Sequence, residues 1–210
     1  MLIKNNYVTK EKVRVCPSSY TVGEALSFLR ESGYRCVPVV NEENNHYEGQ
    51  VYKVHLIEHI YENGGKDTDS VLDVATEKSS FIEEDSTLLK AVFNIDRLPF
   101  FAVVSSEERF KGIITHSVIM NLFRDGFGVK TGGLSLTIVV PELKGMMLIL
   151  AETFKGYNIE GIHTFDNGDT LLRRVMITLS AEAERDLPKF QKKLEKHNFR
   201  IVDSEIIEKQ

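Results

Sequence analysis

The stretch Val37-Pro38-Val39-Val40, followed by Tyr47-Glu48-Gly49-Gln50-Val51, decides the architecture because the chain contains it twice. Phe101-Ala102-Val103-Val104 and Phe110-Lys111-Gly112-Ile113-Ile114 repeat it. Upstream, Thr21-Val22-Gly23-Glu24-Ala25 answers to Thr87-Leu88-Leu89-Lys90-Ala91, and the offset runs from 63 to 66 residues. A fixed internal period marks a duplicated structural unit. The drift in offset falls in turns, where changes of length are cheap.

Each copy predicts the same elements. A Ser/Thr cap opens a helix: Tyr20-Thr21 precedes Val22, Ala25, Leu26 and Leu29, and Ser86-Thr87 precedes Leu88, Ala91, Val92 and Ile95. Those apolar residues recur at the three-and-four spacing of an amphipathic helix. A wholly apolar strand follows (37–40 and 101–104), of the kind buried on both faces. A solvated loop (42–45 and 105–108) leads to a second strand at the Gly, and another helix closes the unit. One unit of ~60 residues buries a poor core alone, so the two are expected to pack together.

The third part begins after Thr131-Gly132-Gly133 and alternates strand and helix. Strands are expected at 134–140, 159–165, 171–179 and 199–207. The first helix carries Met146, Ile149, Leu150 and Phe154, and the second Leu187, Phe190 and Leu194. Asp166-Asn167-Gly168-Asp169 holds the Asn-Gly hairpin signal. The order βαββαβ is ferredoxin-like. The expected class is α+β (α/β), two βαββα-type units plus a βαββαβ domain, with boundaries at 1–63, 64–128 and 129–210.

The bulk numbers exclude several functions. A net charge of -5 argues against a general nucleic-acid binder. The longest apolar runs, 37–40 and 146–151, fall far short of the ~20 residues that span a bilayer. No apolar segment follows Lys4, Lys10 and Lys12, so no signal peptide is expected and the protein is expected in the cytoplasm. Cys16 and Cys36 form neither a disulfide framework nor a metal knuckle, and Cys36 reads as a small core residue.

The Thr-Val helix, Val-Pro-Val-Val strand and Gly-Ile-Ile-Thr strand resemble a CBS domain, and the duplication over residues 8–128 resembles a CBS pair. Residues 133–208 resemble an ACT domain. The whole layout is similar to small regulators of Gram-positive bacteria, some of them cyclic-di-AMP-binding and others of acetoin-utilisation type. The CBS resemblance implies a site at a Gly-h-h-Thr/Ser-x-x-Asp motif (h, apolar), the Thr meeting phosphate and the Asp both ribose hydroxyls. Here the second unit has Gly112 and Thr115 but Val118 at the Asp position, while the first has Gly49, Tyr52 and His55. Both carboxylates are missing. One reading is a scaffold that binds nothing.

The other reading is a ligand whose ribose hydroxyls are not both free. In a cyclic dinucleotide each 3′ oxygen is esterified, and a carboxylate there would repel the adjoining phosphate. Cyclic di-AMP fits the implied adenine selectivity. Its phosphates would meet Arg35 and Arg97, with Lys53, Lys111 and Lys130 near the cleft edges, since the planar guanidinium can donate two parallel bonds. Tyr34, Tyr52, Phe81 and Phe100 could flank adenine, and Leu98, Thr115, His116, Val118 and His55 complete the candidate set. In the ACT resemblance Gly145, Asn158 and Ile159 border an amino-acid site, although the family's Asp-x-Pro-Gly loop is here Pro141-Glu142-Leu143-Lys144-Gly145. A purely dimerising role is the alternative.

A different class of function is written in His55-Leu56-Ile57-Glu58-His59, which matches the H-x-x-E-H of zinc hydrolases. The second unit carries no such set at 118–122, and no third ligand stands nearby. No other catalytic signature occurs. The expectation is a non-catalytic sensor with no cofactor and no metal. It binds cyclic di-AMP, or alternatively AMP, ATP or an amino acid, forms a homodimer, signals to a partner protein not identified by the sequence, and engages neither nucleic acid nor membrane.

Overall fold

The computed structural model describes residues 2–141, 144–166, 168 and 171–209. The first repeat comprises β2 (Cys16–Pro17), α1 (Val22–Ser32), β3 (Cys36–Val40), β4 (Tyr47–Tyr52) and α2 (Lys53–Tyr61), preceded by β1 (Val8–Thr9). The second comprises β5 (Phe81–Glu83), α3 (Leu88–Asn94), β6 (Phe100–Val104), β7 (Phe110–Thr115) and α4 (His116–Gly126). The chain then continues through β8 (Gly133–Pro141), α5 (Met146–Thr153), β9 (Ile159–Asp166), β10 (Leu172–Leu179), α6 (Leu187–Glu195) and β11 (Arg200–Ile207). It divides into two compact units, Met1–Ile119 and Met120–Gln210.

Local chemistry explains the helix ends. Thr21 Oγ1 accepts from the Glu24 N–H at 3.2 Å, while Glu24 Oε2 accepts from the Thr21 N–H at 2.8 Å. This capping box satisfies two donors that the first turn of α1 leaves orphaned. Gly33, left-handed at φ 74°, ends the helix. The face carrying Val22, Ala25, Leu26 and Leu29 packs on Val37, Val39, Val51 and Leu56.

The two repeats are the same structure at the level of register. In the β3–β4 ladder Cys36 faces Tyr52, Val37 faces Val51, Pro38 faces Gln50 and Val39 faces Gly49, with a shift before Val40 and Tyr47. In the β6–β7 ladder Phe100 faces Thr115, Phe101 faces Ile114, Ala102 faces Ile113 and Val103 faces Gly112, with the same shift before Val104 and Phe110. Val40, Tyr47, Ala102, Val104 and Phe110 form one buried cluster along the seam between the repeats. Tyr47 and Phe110 stack there with centroids 6.4 Å apart.

The chain entering each repeat crosses onto the sheet of the other. β1 pairs with β7, giving a sheet in the order β1-β7-β6-β5, and Thr76 bridges to Gln50 beside the sheet β2-β3-β4. This crossing accounts for the glycine at the third position of β4 and of β7. A Cβ on Gly49 would stand 2.6 Å from the Thr76 carbonyl oxygen, and one on Gly112 would overlap the Val8 oxygen. Only glycine admits so close a backbone approach.

The second unit is a four-stranded antiparallel sheet in the order β11-β8-β10-β9. This is the ferredoxin-like order anticipated from the βαββαβ pattern. Leu134, Leu136, Ile138 and Val140 point from β8 into a core with Leu150 and Phe154 of the first helical segment and Phe190 and Leu194 of the second. Asn167 and Asp169 of the expected hairpin turn lie outside the described residues. The flanking register, Arg173 against Asp166, closes that hairpin, and the Gly168 N–H donates to Asp166 Oδ1 at 2.9 Å.

Candidate functional site

A cleft of about 510 Å³ opens within the first unit, where the N-terminal segment meets both repeats. One wall is Val8, Lys12, Val13 and Arg14; a second is the turn from Gly33 to Pro38. The floor is Pro99 and Phe100 at the start of β6, with Ile113 and Thr115 of β7. Its size lies in the small-molecule range of about 300–1,000 Å³.

The walls supply three kinds of chemistry. Val8, Val13, Val37, Pro38, Phe100 and Ile113 make an apolar slot, with Phe100 buried beneath it. Lys12, Arg14 and Arg35 are exposed at the mouth, and no carboxylate among the described residues lies in ion-pair range of them. Thr115 Oγ1 accepts from the Val118 N–H at 3.3 Å, which caps α4 and leaves the hydroxyl proton to donate into the cleft.

A main-chain edge completes the site. The Lys53 N–H donates to the Arg35 carbonyl at 2.9 Å, so antiparallel alternation turns the Cys36 N–H and carbonyl away from β4. Cys36 is half-buried and lines the cleft, whereas Cys16 is the fully buried thiol; the expectation of a core residue at 36 is corrected accordingly. Desolvation pushes the Cys36 thiol up to about 12, so it stays protonated at neutral pH.

Of the residues anticipated from sequence, the cleft brings together Tyr34, Arg35, Phe100 and Thr115, with Tyr34 half exposed at 52%. The others lie elsewhere. Phe81 lines a separate hollow of about 270 Å³ with Glu83 and Ser86, and meets Tyr47 edge-on at 6.3 Å. Tyr52 and His55 contact each other in the first repeat, ring centroids 4.9 Å apart. Arg97 is exposed in the 3-10 turn Ile95–Arg97 and Leu98 follows it; His116 opens α4 in solvent. Val118, the third residue of α4, is half-buried and does not line the cleft, although its N–H donates to the cleft residue Thr115 at 3.3 Å. Lys111 lines a different hollow with Lys10 and Arg109, and Lys130 is held by Asp125 at 3.0 Å. Sequence reasoning missed Val8, Lys12, Val13 and Arg14, because this segment precedes the repeat and carries no period of its own.

The H-x-x-E-H segment is committed to other contacts. His59 Nε2 meets Asp69 Oδ2 at 2.9 Å, and the ring fills the space that a side chain on Gly65 would need. The Lys66 N–H and then His59 hold the Asp69 carboxyl below its ordinary range. Among the described residues no group of three or more His, Cys, Asp or Glu could hold a metal ion.

In the second unit Gly145 takes the left-handed conformation before α5. Asn158 and the exposed Ile159 follow the other end of that helix, eight residues or roughly 12 Å away. The Asn158 carbonyl accepts from the Ser180 N–H at 3.0 Å. Glu142 and Leu143 of the intervening loop lie outside the described residues.

Residues 5–62 match the family model of the CBS domain. The chain carries a CBS domain. Solved CBS-pair structures have the same fold. One is CbpB in complex with cyclic di-AMP, at 21% identity and TM-score 0.54, covering 59% of this chain and 85% of that one. Another is the Listeria monocytogenes CbpB protein with cyclic di-AMP, at 22% and 0.53, covering 58% and 94%. A third is a CBS domain-containing protein of unknown function from Bacillus anthracis, at 22% and 0.53, covering 59% and 93%. At such identities the likeness is one of fold. No curated protein matches the chain. The two repeats thus share the fold of these structures, and the cleft lies where the N-terminal segment meets both of them. No helix among the described residues is long and apolar enough to cross a membrane.

Proposed function

We propose that the chain is a non-catalytic, ligand-sensing regulator whose open cleft takes an adenine nucleotide, cyclic di-AMP before AMP or ATP. The observation that carries this reading is the joining of an apolar slot to Arg14, Arg35 and Thr115 in one cleft. The slot suits a purine face, and the Cys36 main-chain edge offers the acceptor and donor that an adenine edge complements. The guanidinium groups and the Thr115 hydroxyl suit phosphate. Val118 supplies no carboxylate for a pair of free ribose hydroxyls and none to repel a second phosphate. The complexes of the CbpB relatives with cyclic di-AMP support the same choice.

Ligand uptake between the repeats would shift their packing and so bias what the regulator presents to a partner protein. The ferredoxin-like unit is read as an ACT domain with a dimerising role, since Gly145 and Asn158 are one helix apart within a chain. The protein is proposed to work as a cytoplasmic homodimer. Binding of cyclic di-AMP to Arg35→Ala and Arg14→Ala variants tests the site. Each loss of a charge-assisted contact should weaken affinity about ten- to a hundred-fold. Unchanged affinity in both would place the ligand elsewhere.

A further inference from the structure

The two ladders share a geometry, and three of the positions at which their side chains differ bear on the cleft. Gln50 stands where the second repeat has Ile113, Tyr52 where it has Thr115, and Cys36 where it has Phe100. Ile113, Thr115 and Phe100 line the open cleft. Their counterparts close on one another. The Tyr52 hydroxyl donates to Gln50 Oε1 at 3.1 Å, the Cys36 thiol lies 3.6 Å from the same oxygen, and Gln50 Nε2 donates to the Phe100 carbonyl at 3.1 Å.

The Phe100 carbonyl is the counterpart of the Cys36 carbonyl at the open cleft. Gln50 is therefore bonded to the same main-chain edge that the other half leaves available. A side-chain amide presents an NH₂ donor beside a carbonyl acceptor, the same pair that adenine presents at its N6 and N1. Packing does not demand this residue. Ile113 fills the equivalent position without a polar group, and a wholly buried amide is costly unless every bond is made.

We infer that Gln50, held by Tyr52 and Cys36, is a built-in occupant of the first repeat's cleft and confines the pair to one adenine ligand per chain. This rests on the nucleotide reading of the open cleft. The double variant Gln50→Ile/Tyr52→Thr gives the first repeat the residues of the second at these two positions. Calorimetric titration with cyclic di-AMP and with AMP should show one site per chain in the wild type and two in the variant, the original site keeping its affinity within about twofold. Two sites in the wild type, or one in a folded variant, would overturn the inference; if the double variant does not fold, Gln50→Ala is judged by the same counts. If the wild type takes up neither nucleotide, the reading of the open cleft has failed. The occlusion is then judged by melting with AMP, where a rise confined to the variant supports it and no rise in either overturns it.

Discussion

Gln50 donates its side-chain amide to the main-chain carbonyl of Phe100 at 3.1 Å, across the seam between the repeats. This bond joins the two ladders at the point where their side chains differ most. It makes Gln50 a structural residue as well as a barrier to ligand.

Gln50→Ala should therefore lower stability measurably. The substitution strips partners from the Phe100 carbonyl and the Tyr52 hydroxyl in a buried place, a loss of roughly 1–3 kcal/mol. Tyr52→Phe removes one bond and leaves the ring, so its cost should be nearer 1 kcal/mol. Denaturant unfolding checks both, and equal stability of Gln50→Ala and wild type would contradict the role.

Alkaline pH should destabilise the first unit. Burial raises Cys16 and Cys36 from an ordinary 9.0 to about 12, and raises Tyr47 and Tyr52 above their ordinary 10.0. A folded-state value above the unfolded one gives stability that is complete below pH 9 and is lost as pH rises towards 12. Melting temperature should fall across that window, less steeply in a Cys16→Ala/Cys36→Ala variant. A flat profile in the wild type would refute the burial of these groups.

The His55–His59 segment should behave as a helix face rather than a metal site. Gly65→Ala forces its Cβ into the His59 ring and should lower the melting temperature, as should His59→Ala, which releases Asp69. Purified protein should carry zinc well below one per chain. Stoichiometric zinc that is lost in His59→Ala would restore the hydrolase reading.

The repeats, their helix caps and the ferredoxin-like order were legible because each is a local pattern: the Thr21 cap, the Val37–Val40 strand, the alternation of strand and helix after residue 133. Part of the cleft was legible too, since Tyr34, Arg35, Phe100 and Thr115 sit at repeat-anchored positions. Arg14 and Lys12 were not, because β1 owes its place to a pairing with β7 some hundred residues onward. Cys36 misled for a related reason: an apolar neighbourhood in sequence does not reveal that the strand's first residue lies at a cleft. Gln50 carries no such local mark, because its role depends on the register of both ladders and on a bond to Phe100, fifty residues away in sequence.

Assembly is open to a direct check. Sedimentation at micromolar concentration should give a species of twice the 23.9 kDa chain, as an isologous dimer requires. A single species at the chain mass would remove the proposed dimerising role of the second unit.

The central claim is that the open cleft prefers cyclic di-AMP because it lacks a ribose-binding carboxylate. Calorimetry of cyclic di-AMP against AMP, on the wild type and on Val118→Asp, tests it most directly. Losing a charge-assisted pair of bonds costs roughly 1.5–3 kcal/mol, so the wild type should bind cyclic di-AMP about ten- to a hundred-fold more tightly than AMP. Val118→Asp should shift the ratio towards AMP. Equal affinity for the two nucleotides in the wild type, or a ratio unmoved by Val118→Asp, would contradict the account.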